Sequence, residues 1–178
     1  GFAITLSYEK AYRIFTNYLI SGNVYSRGIE CDNYGNIYLT GSGKLEGNQN
    51  YGSSDIVLIK CDSAGNKIWA DQFGTANDDS GNDVKTDATG NIYVTGYVSG
   101  NLDGNTSNGR TDVFITKYDT NKNRIWTKQF GTTNDDVANE IALDNTGNIY
   151  ITGYTRGGLD GNINSGNHDI IIMKLNSA

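Results

Sequence analysis

The sequence predicts an all-β fold of tandem four-stranded antiparallel sheets, and three observations predict it. The first is internal repetition. Gln72-Phe73-Gly74-Thr75 returns 57 residues later as Gln129-Phe130-Gly131-Thr132, Trp69 returns as Trp126, and Asp55 returns as Asp112 and Asp169. Gly35-Asn36-Ile37-Tyr38 returns at Gly90-Asn91-Ile92-Tyr93 and Gly147-Asn148-Ile149-Tyr150, in steps of 55 and 57, so the first unit lacks two residues after that segment. The second is that each unit carries four short segments rich in Tyr, Val, Ile, Thr, Phe and Trp, the residues that suit a pleated surface, and none has helical spacing. In the second unit they are expected at Asn82–Thr86, Asn91–Tyr97, Asp112–Tyr118 and Asn123–Phe130. The third is that the third segment is apolar on consecutive residues, as in Ile56-Val57-Leu58-Ile59 and Ile170-Ile171-Ile172-Met173. Such a strand is buried on both faces, which requires a sheet held between two similar sheets.

Four strands per 57-residue period, each sheet covered on both sides, is the arithmetic of a β-propeller blade. About three blades are expected. Residues 1–19 form a partial blade, in which Phe2-Ala3-Ile4-Thr5 matches Val113-Phe114-Ile115-Thr116 and Arg13-Ile14-Phe15-Thr16 matches Arg124-Ile125-Trp126-Thr127. Blade 1 takes 20–73, blade 2 takes 74–130, and blade 3 takes 131–178 without its outer strand. With 23 Gly and no Pro, the turns fall to Gly, Asn and Asp. The formal charge of −6 repels phosphate backbones and sets nucleic acid aside. No apolar run approaches the roughly 18 residues of a spanning helix. The N-terminus has neither an initiator Met nor a leader pattern and reads as a cut or processed end.

The units resemble the bacterial propeller repeat called SBBP. The matching runs are Trp-x-x-x-Phe-Gly-Thr (Trp126 to Thr132), Asp-x-x-Gly-Asn-Ile-Tyr-Val/Ile-Thr-Gly (Asp87 to Gly96, Asp144 to Gly153), Leu-Asp-Gly-Asn (Leu102 to Asn105, Leu159 to Asn162) and Asp-x-x-x-x-Lys-Tyr/Leu (Asp112 to Tyr118, Asp169 to Leu175). The resemblance implies a propeller on secreted or cell-surface proteins and brings no reaction or catalytic residues. Gly65-x-x-x-Trp69 also resembles the Gly-x-x-x-Trp of quinoprotein propellers, where the Trp docks neighbouring blades. Trp69 and Trp126, with Phe73 and Phe130, are accordingly expected in inter-blade packing.

Strands labelled A to D from the axis outward place the A–B and C–D turns on one face and the B–C and D–A loops on the other. The longer loops then share one rim. That rim is expected to collect Asp78, Asp79, Asp135 and Asp136 from the D–A loops, and Asp103, Asn105, Asp160 and Asn162 from the B–C loops. Carboxylates and amides suit cations or sugar hydroxyls, but the same letters also build Asx turns, and the residues alone leave both readings open. Residues 101–112 have the length of a calcium loop, with the glycine fourth instead of sixth and Asp instead of Glu at the close. No cofactor is expected, calcium being the one ion these loops would suit.

Enzyme chemistry is not expected. His168 is the one histidine, nothing near it resembles a nucleophile elbow, and its counterparts are Ser54 and Thr111. Cys31 and Cys61 end strands A and C with strand B between them, roughly 9–10 Å apart by strand spacing, beyond the reach of a disulfide. The expected function is a non-enzymatic binding or display module whose ligand, a glycan or a protein, meets the long-loop rim. The alternatives are a purely structural or oligomerisation ring, and a hydrolase or lyase using rim carboxylates. Residues 11–19 match strand D and could complete the last blade of another copy, giving six blades in a dimer.

Overall fold

The computed structural model describes residues 22–176. The expected partial blade at 1–19, with its donor strand, lies outside the described residues. Two four-stranded meanders and a three-stranded one follow in order. The first is β1 (Gly22–Cys31), β2 (Ile37–Leu45), β3 (Asp55–Cys61) and β4 (Lys67–Phe73); the second is β5 (Ser80–Thr86), β6 (Ile92–Val98), β7 (Asp112–Tyr118) and β8 (Arg124–Phe130). The third is β9 (Asp136–Leu143), β10 (Asn148–Thr155) and β11 (Asp169–Asn176). All pairings are antiparallel between sequence neighbours. First strands contact one another across sheets, β1 with β5 and β5 with β9, so they form the convergent edge. The fold is the expected all-β array of propeller blades.

The tight turns explain the recurring Asp-x-x-Gly-Asn. Asp87 accepts from the amides of Thr89 (2.9 Å) and Asn91 (3.0 Å), from Asn91 Nδ2 (2.8 Å) and from the Tyr93 hydroxyl (3.1 Å). Asp32 and Asp144 repeat the arrangement, and Asp62 and Asp119 make its shorter form between the third and fourth strands. Gly90 and Gly147 supply the positive φ the turn needs (86° and 84°), while Lys122 holds that position at φ 71° in the Asp119 turn. The Asn148 side chain chiefly holds Asp144 below the usual carboxylate range, as Asn66 holds Asp62 and Asn123 holds Asp119. Asp32 and Asp87 are lowered too, hydrogen bonds outweighing burial.

Each first strand carries a bulge. The register skips Arg27, Asn82 and Asn139, one residue per blade. The opposing glycine of Thr-Gly is required there. A Cβ on Gly96 would stand 1.9 Å from Ser80 O, and one on Gly153 1.9 Å from Val137 O. Bulges re-aim side chains, and these three all point to the long-loop end of the convergent edge.

Two cores join the blades. Between the first and second lie Tyr38, Ile56, Leu58 and Phe73 against Val94, Leu102, Phe114 and Tyr118, with Trp69 at the margin. Between the second and third lie Tyr93, Val113 and Ile115 against Ile141, Ile149, Ile151 and Ile171, with Trp126 and Phe130 at the margin. Strands β3 and β7 are buried on both faces, as their consecutive apolar residues require. Strand β11 buries Ile171 but leaves Ile170 89% and Ile172 79% exposed, because no blade covers its far side among the described residues. Cys31 and Cys61 are unbridged, both aligned with Ile37 on β2 between them.

Candidate binding site at the second junction

The D–A loops put their paired aspartates to different uses. Asp79 and Asp136 are fully buried and turned into their own loops. Asp79 accepts from the Thr75 amide and, at 3.0 Å, from the Thr75 hydroxyl; Asp136 accepts from the Thr132 amide (2.6 Å) and hydroxyl (2.9 Å). Burial pushes the Asp79 carboxyl up, against the pull of those bonds. Asp78 and Asp135 lie one residue earlier, where the D–A loop makes a one-residue parallel bridge to Ser54 and to Thr111. Asp78 is exposed and Asp135 half-buried.

The Leu-Asp-Gly-Asn run departs from the expected single acidic face. Leu102 is 2% exposed within the first junction, and its amide bonds Gln129 Oε1 at 3.1 Å. Gln129 Nε2 also donates to Asp112 at 2.8 Å, so one side chain ties the B–C loop to the outer strand; Gln72 does the same for Leu45 and Asp55. Asp103, at φ 49°, is thereby laid along β8, accepting from the Thr127 hydroxyl at 2.6 Å and pairing with Arg124 at 3.2 Å. Asn105 and Asn162 close their turns onto the carbonyls of Leu102 and Leu159, and Asp160 repeats the positive φ of Asp103 and is exposed. The burial of the leucine draws the run away from the D–A aspartates. The calcium-like stretch is likewise occupied: Asn101 caps Ser107, Asp103 faces Arg124, and Asp112 holds Asn108 and Gln129. Among the described residues, no three His, Cys, Asp or Glu side chains form a metal-ligand set.

What the long-loop face does gather is basic and aromatic. Two adjoining cavities share Asp135. One, about 420 Å³, lies at the convergent edge and is lined by Arg27, Asn82, Tyr97, Asn139 and Tyr154; the other, about 510 Å³, lies outward and is lined by Arg110, Asn134, Arg156, Asn167 and His168. Arg156 Nη1 meets Asp135 at 2.6 Å, Arg156 Nε donates to His168 Nε2 at 2.9 Å, and Arg110 Nε stands 3.9 Å from the same carboxylate. The His168 ring packs edge-on against Tyr154, centroids 4.8 Å apart. Burial raises the Tyr97 hydroxyl, with Arg27 opposing and Asp78 and Asp79 adding to the shift. The remaining arginine among the described residues, Arg124, is committed to Asp103 and to the face of Phe73, 4.8 Å away.

Sequence reasoning placed neither the glutamines nor this basic cluster. A comparison of repeats position by position would have exposed the cluster, since Arg110 stands where the previous unit has Ser53, Arg156 where it has Ser99, and His168 where it has Thr111.

The chain is similar to two curated proteins. Regulatory protein FlaEY of Caulobacter vibrioides is 31% identical over 131 residues, which take in 69% of this chain and 14% of that protein. The uncharacterized WD repeat-containing protein L264 of Acanthamoeba polyphaga mimivirus is 29% identical over 113 residues, 57% of this chain and 8% of that protein. The chain thus spans a small part of the length of either relative. The SBBP family, described as a beta-propeller repeat, matches residues 68–103 and 125–160; each match starts in an outer strand, β4 or β8, and runs into the next blade, so these two segments of the chain are SBBP propeller repeats.

Proposed function

We propose that this chain is a non-enzymatic propeller module of a secreted or cell-surface protein, and that it binds a glycan or protein ligand on its long-loop face at the second junction. The observation that carries the reading is the pair of cavities about Asp135, which collect three of the four arginines of the described residues beside two half-buried tyrosines. Rigid blades hold these loops, and recognition residues concentrate on loops so held. Two facts support a role without catalysis: Asp79 and Asp136 are spent on their own loops, and Asp135 is spent on Arg156. A glycan array tests the reading. Selective retention of the wild-type chain is the expected result; hydrolase or lyase activity that disappears in Asp135→Asn would contradict it.

A second reading, assembly through strand complementation, has its own observation. Strand β11 is an open edge among the described residues, and a groove of about 610 Å³ runs beside it, lined by Phe130, Leu159, Ile163, Ile170, Ile172 and Met173. In the other two blades an outer strand fills that slot. We infer that a strand of the same pattern from a second copy adds there. No helix of the described residues is long and apolar enough to cross a membrane. Light scattering at micromolar concentration should give a dimer or larger, and a monomeric mass would remove this reading.

A further inference from the structure

We propose that the double cavity at the second junction binds an acidic saccharide, its carboxylate on Arg110 and on Nη2 of Arg156, whose Nη1 and Nε are held by Asp135 and His168, and its hydroxyls on the tyrosines and asparagines of the two cavities. The proposal rests on the reading that the long-loop face binds a ligand, and it names the class.

The first junction shows what the fold alone needs. It has the same parallel bridge, Ser54 with Asp78 as against Thr111 with Asp135, and the same buried cap, Asp79 as against Asp136. Beside them the first junction carries Ser53 and Ser99 where the second carries Arg110 and Arg156, and the third blade has His168 at the position of Thr111 in the second. Three basic replacements at one place are therefore not required for docking blades.

The two junctions also differ in one internal bond. At the first junction the Ser99 amide donates to Asp79 Oδ1 at 2.9 Å. At the second the Arg156 amide goes instead to Asp135 O at 2.9 Å, and Asp136 Oδ1, fully buried, has no partner.

Charge and chemistry then select the ligand. Three guanidiniums line the two cavities beside one lining carboxylate, Asp135, while Asp78 and Asp79 act on Tyr97 from outside the lining. Arg110 is 77% exposed and 3.9 Å from Asp135, outside hydrogen-bond distance. A guanidinium offers a planar fork that matches a carboxylate. The chain as a whole is acidic, which repels extended polyanions and leaves a short ligand with few charges as the match. Tyr97 and Tyr154 supply ring walls, and Asn134 and Asn139 supply amides that donate and accept, as sugar hydroxyls require.

Calorimetric titration of the 178-residue chain with trigalacturonic acid, the neutral trigalactose and sodium sulfate tests this. Trigalacturonic acid should bind and the other two should not. Arg110→Ser and Arg156→Ser, each restoring the residue of the first junction, should weaken it about tenfold or more, the loss of one charged hydrogen bond. Their melting curves should match wild type, which separates lost binding from lost folding. Equal affinity for trigalactose would overturn the carboxylate claim and leave the face reading standing. Sulfate binding as tightly as trigalacturonic acid would overturn the saccharide claim. No saccharide binding of any kind would overturn both.

Discussion

The two junctions are built from the same repeat and differ in what they add to it. The first is aromatic and closed: Phe73 meets Phe114 and Tyr118 at 6.1 Å, the Tyr118 hydroxyl bonds Asp71 at 3.0 Å, and Lys122 reaches across to Ala70 O at 2.7 Å and Asp71 at 3.3 Å. The second is aliphatic at its centre, with Leu175 where the first has Tyr118 and Lys128 where it has Asp71, and its charged groups stand on the loop face. Stability at both comes from what the repeats share. Function is to be sought where they differ.

The largest effect that can break this comparison is in the shared core. Phe114→Ala empties a fully buried site at the first junction and should cost about 3–5 kcal/mol by denaturant melt, whereas Ile171→Val at the second should cost only about 0.5–1.5 kcal/mol. A loss below about 1 kcal/mol for Phe114→Ala would mean that the first junction does not hold the blades together. Gln129→Ala comes next. It strands the Leu102 amide and one bond to the buried Asp112, and should cost about 1–3 kcal/mol. Gln129→Glu separates charge from shape, since it would set a carboxylate against Asp112.

Acid should act on both junctions alike. Asp32, Asp62, Asp87, Asp119 and Asp144 bind protons less readily folded than unfolded, so their contribution is complete above the unfolded value near 3.8 and is lost as pH falls through their lowered values. Asp79, raised by burial, acts in the opposite sense and above that window, its penalty being relieved as pH falls from its raised value towards 3.8. Tyr38, Tyr93 and Tyr118 are raised above 10, chiefly by burial, so the unfolded chain ionises first and stability falls above pH 10. The melting temperature should therefore decline at both ends, and a flat profile below pH 4 would deny the turn carboxylates their role. The smallest effect is at the loop face. Arg110→Ser and Arg156→Ser remove partly exposed pairs and should shift stability by less than about 1 kcal/mol.

Much of the fold was legible in the residues. Consecutive apolar positions in Asp112–Tyr118 announced a strand covered on both sides, and Asp-x-x-Gly-Asn announced its own turn. The same reading misplaces the solvent in β11, whose isoleucines carry the pattern of a buried strand and stand exposed, because pattern records the neighbour a strand is built for. The site was less legible. Asp78-Asp79 and Asp135-Asp136 read as equal pairs, yet one member of each is buried in its loop, a distinction set by the bridge to Ser54 or Thr111. Leu102 read as part of a surface loop because its burial depends on Gln129, 27 residues away. The bulged Arg27, Asn82 and Asn139 have no local signal at all, since a skipped register is a property of two strands.

The most direct measurement is a map of amide shifts in a labelled chain as trigalacturonic acid is added. Perturbations confined to residues 27, 97, 110, 134–139, 154–156 and 168 are the predicted result. Shifts centred on the open edge at 159–164 and 170–175, or on residues 52–54 and 75–79 of the first junction, would contradict the claim that function lies where the second junction departs from its own repeat.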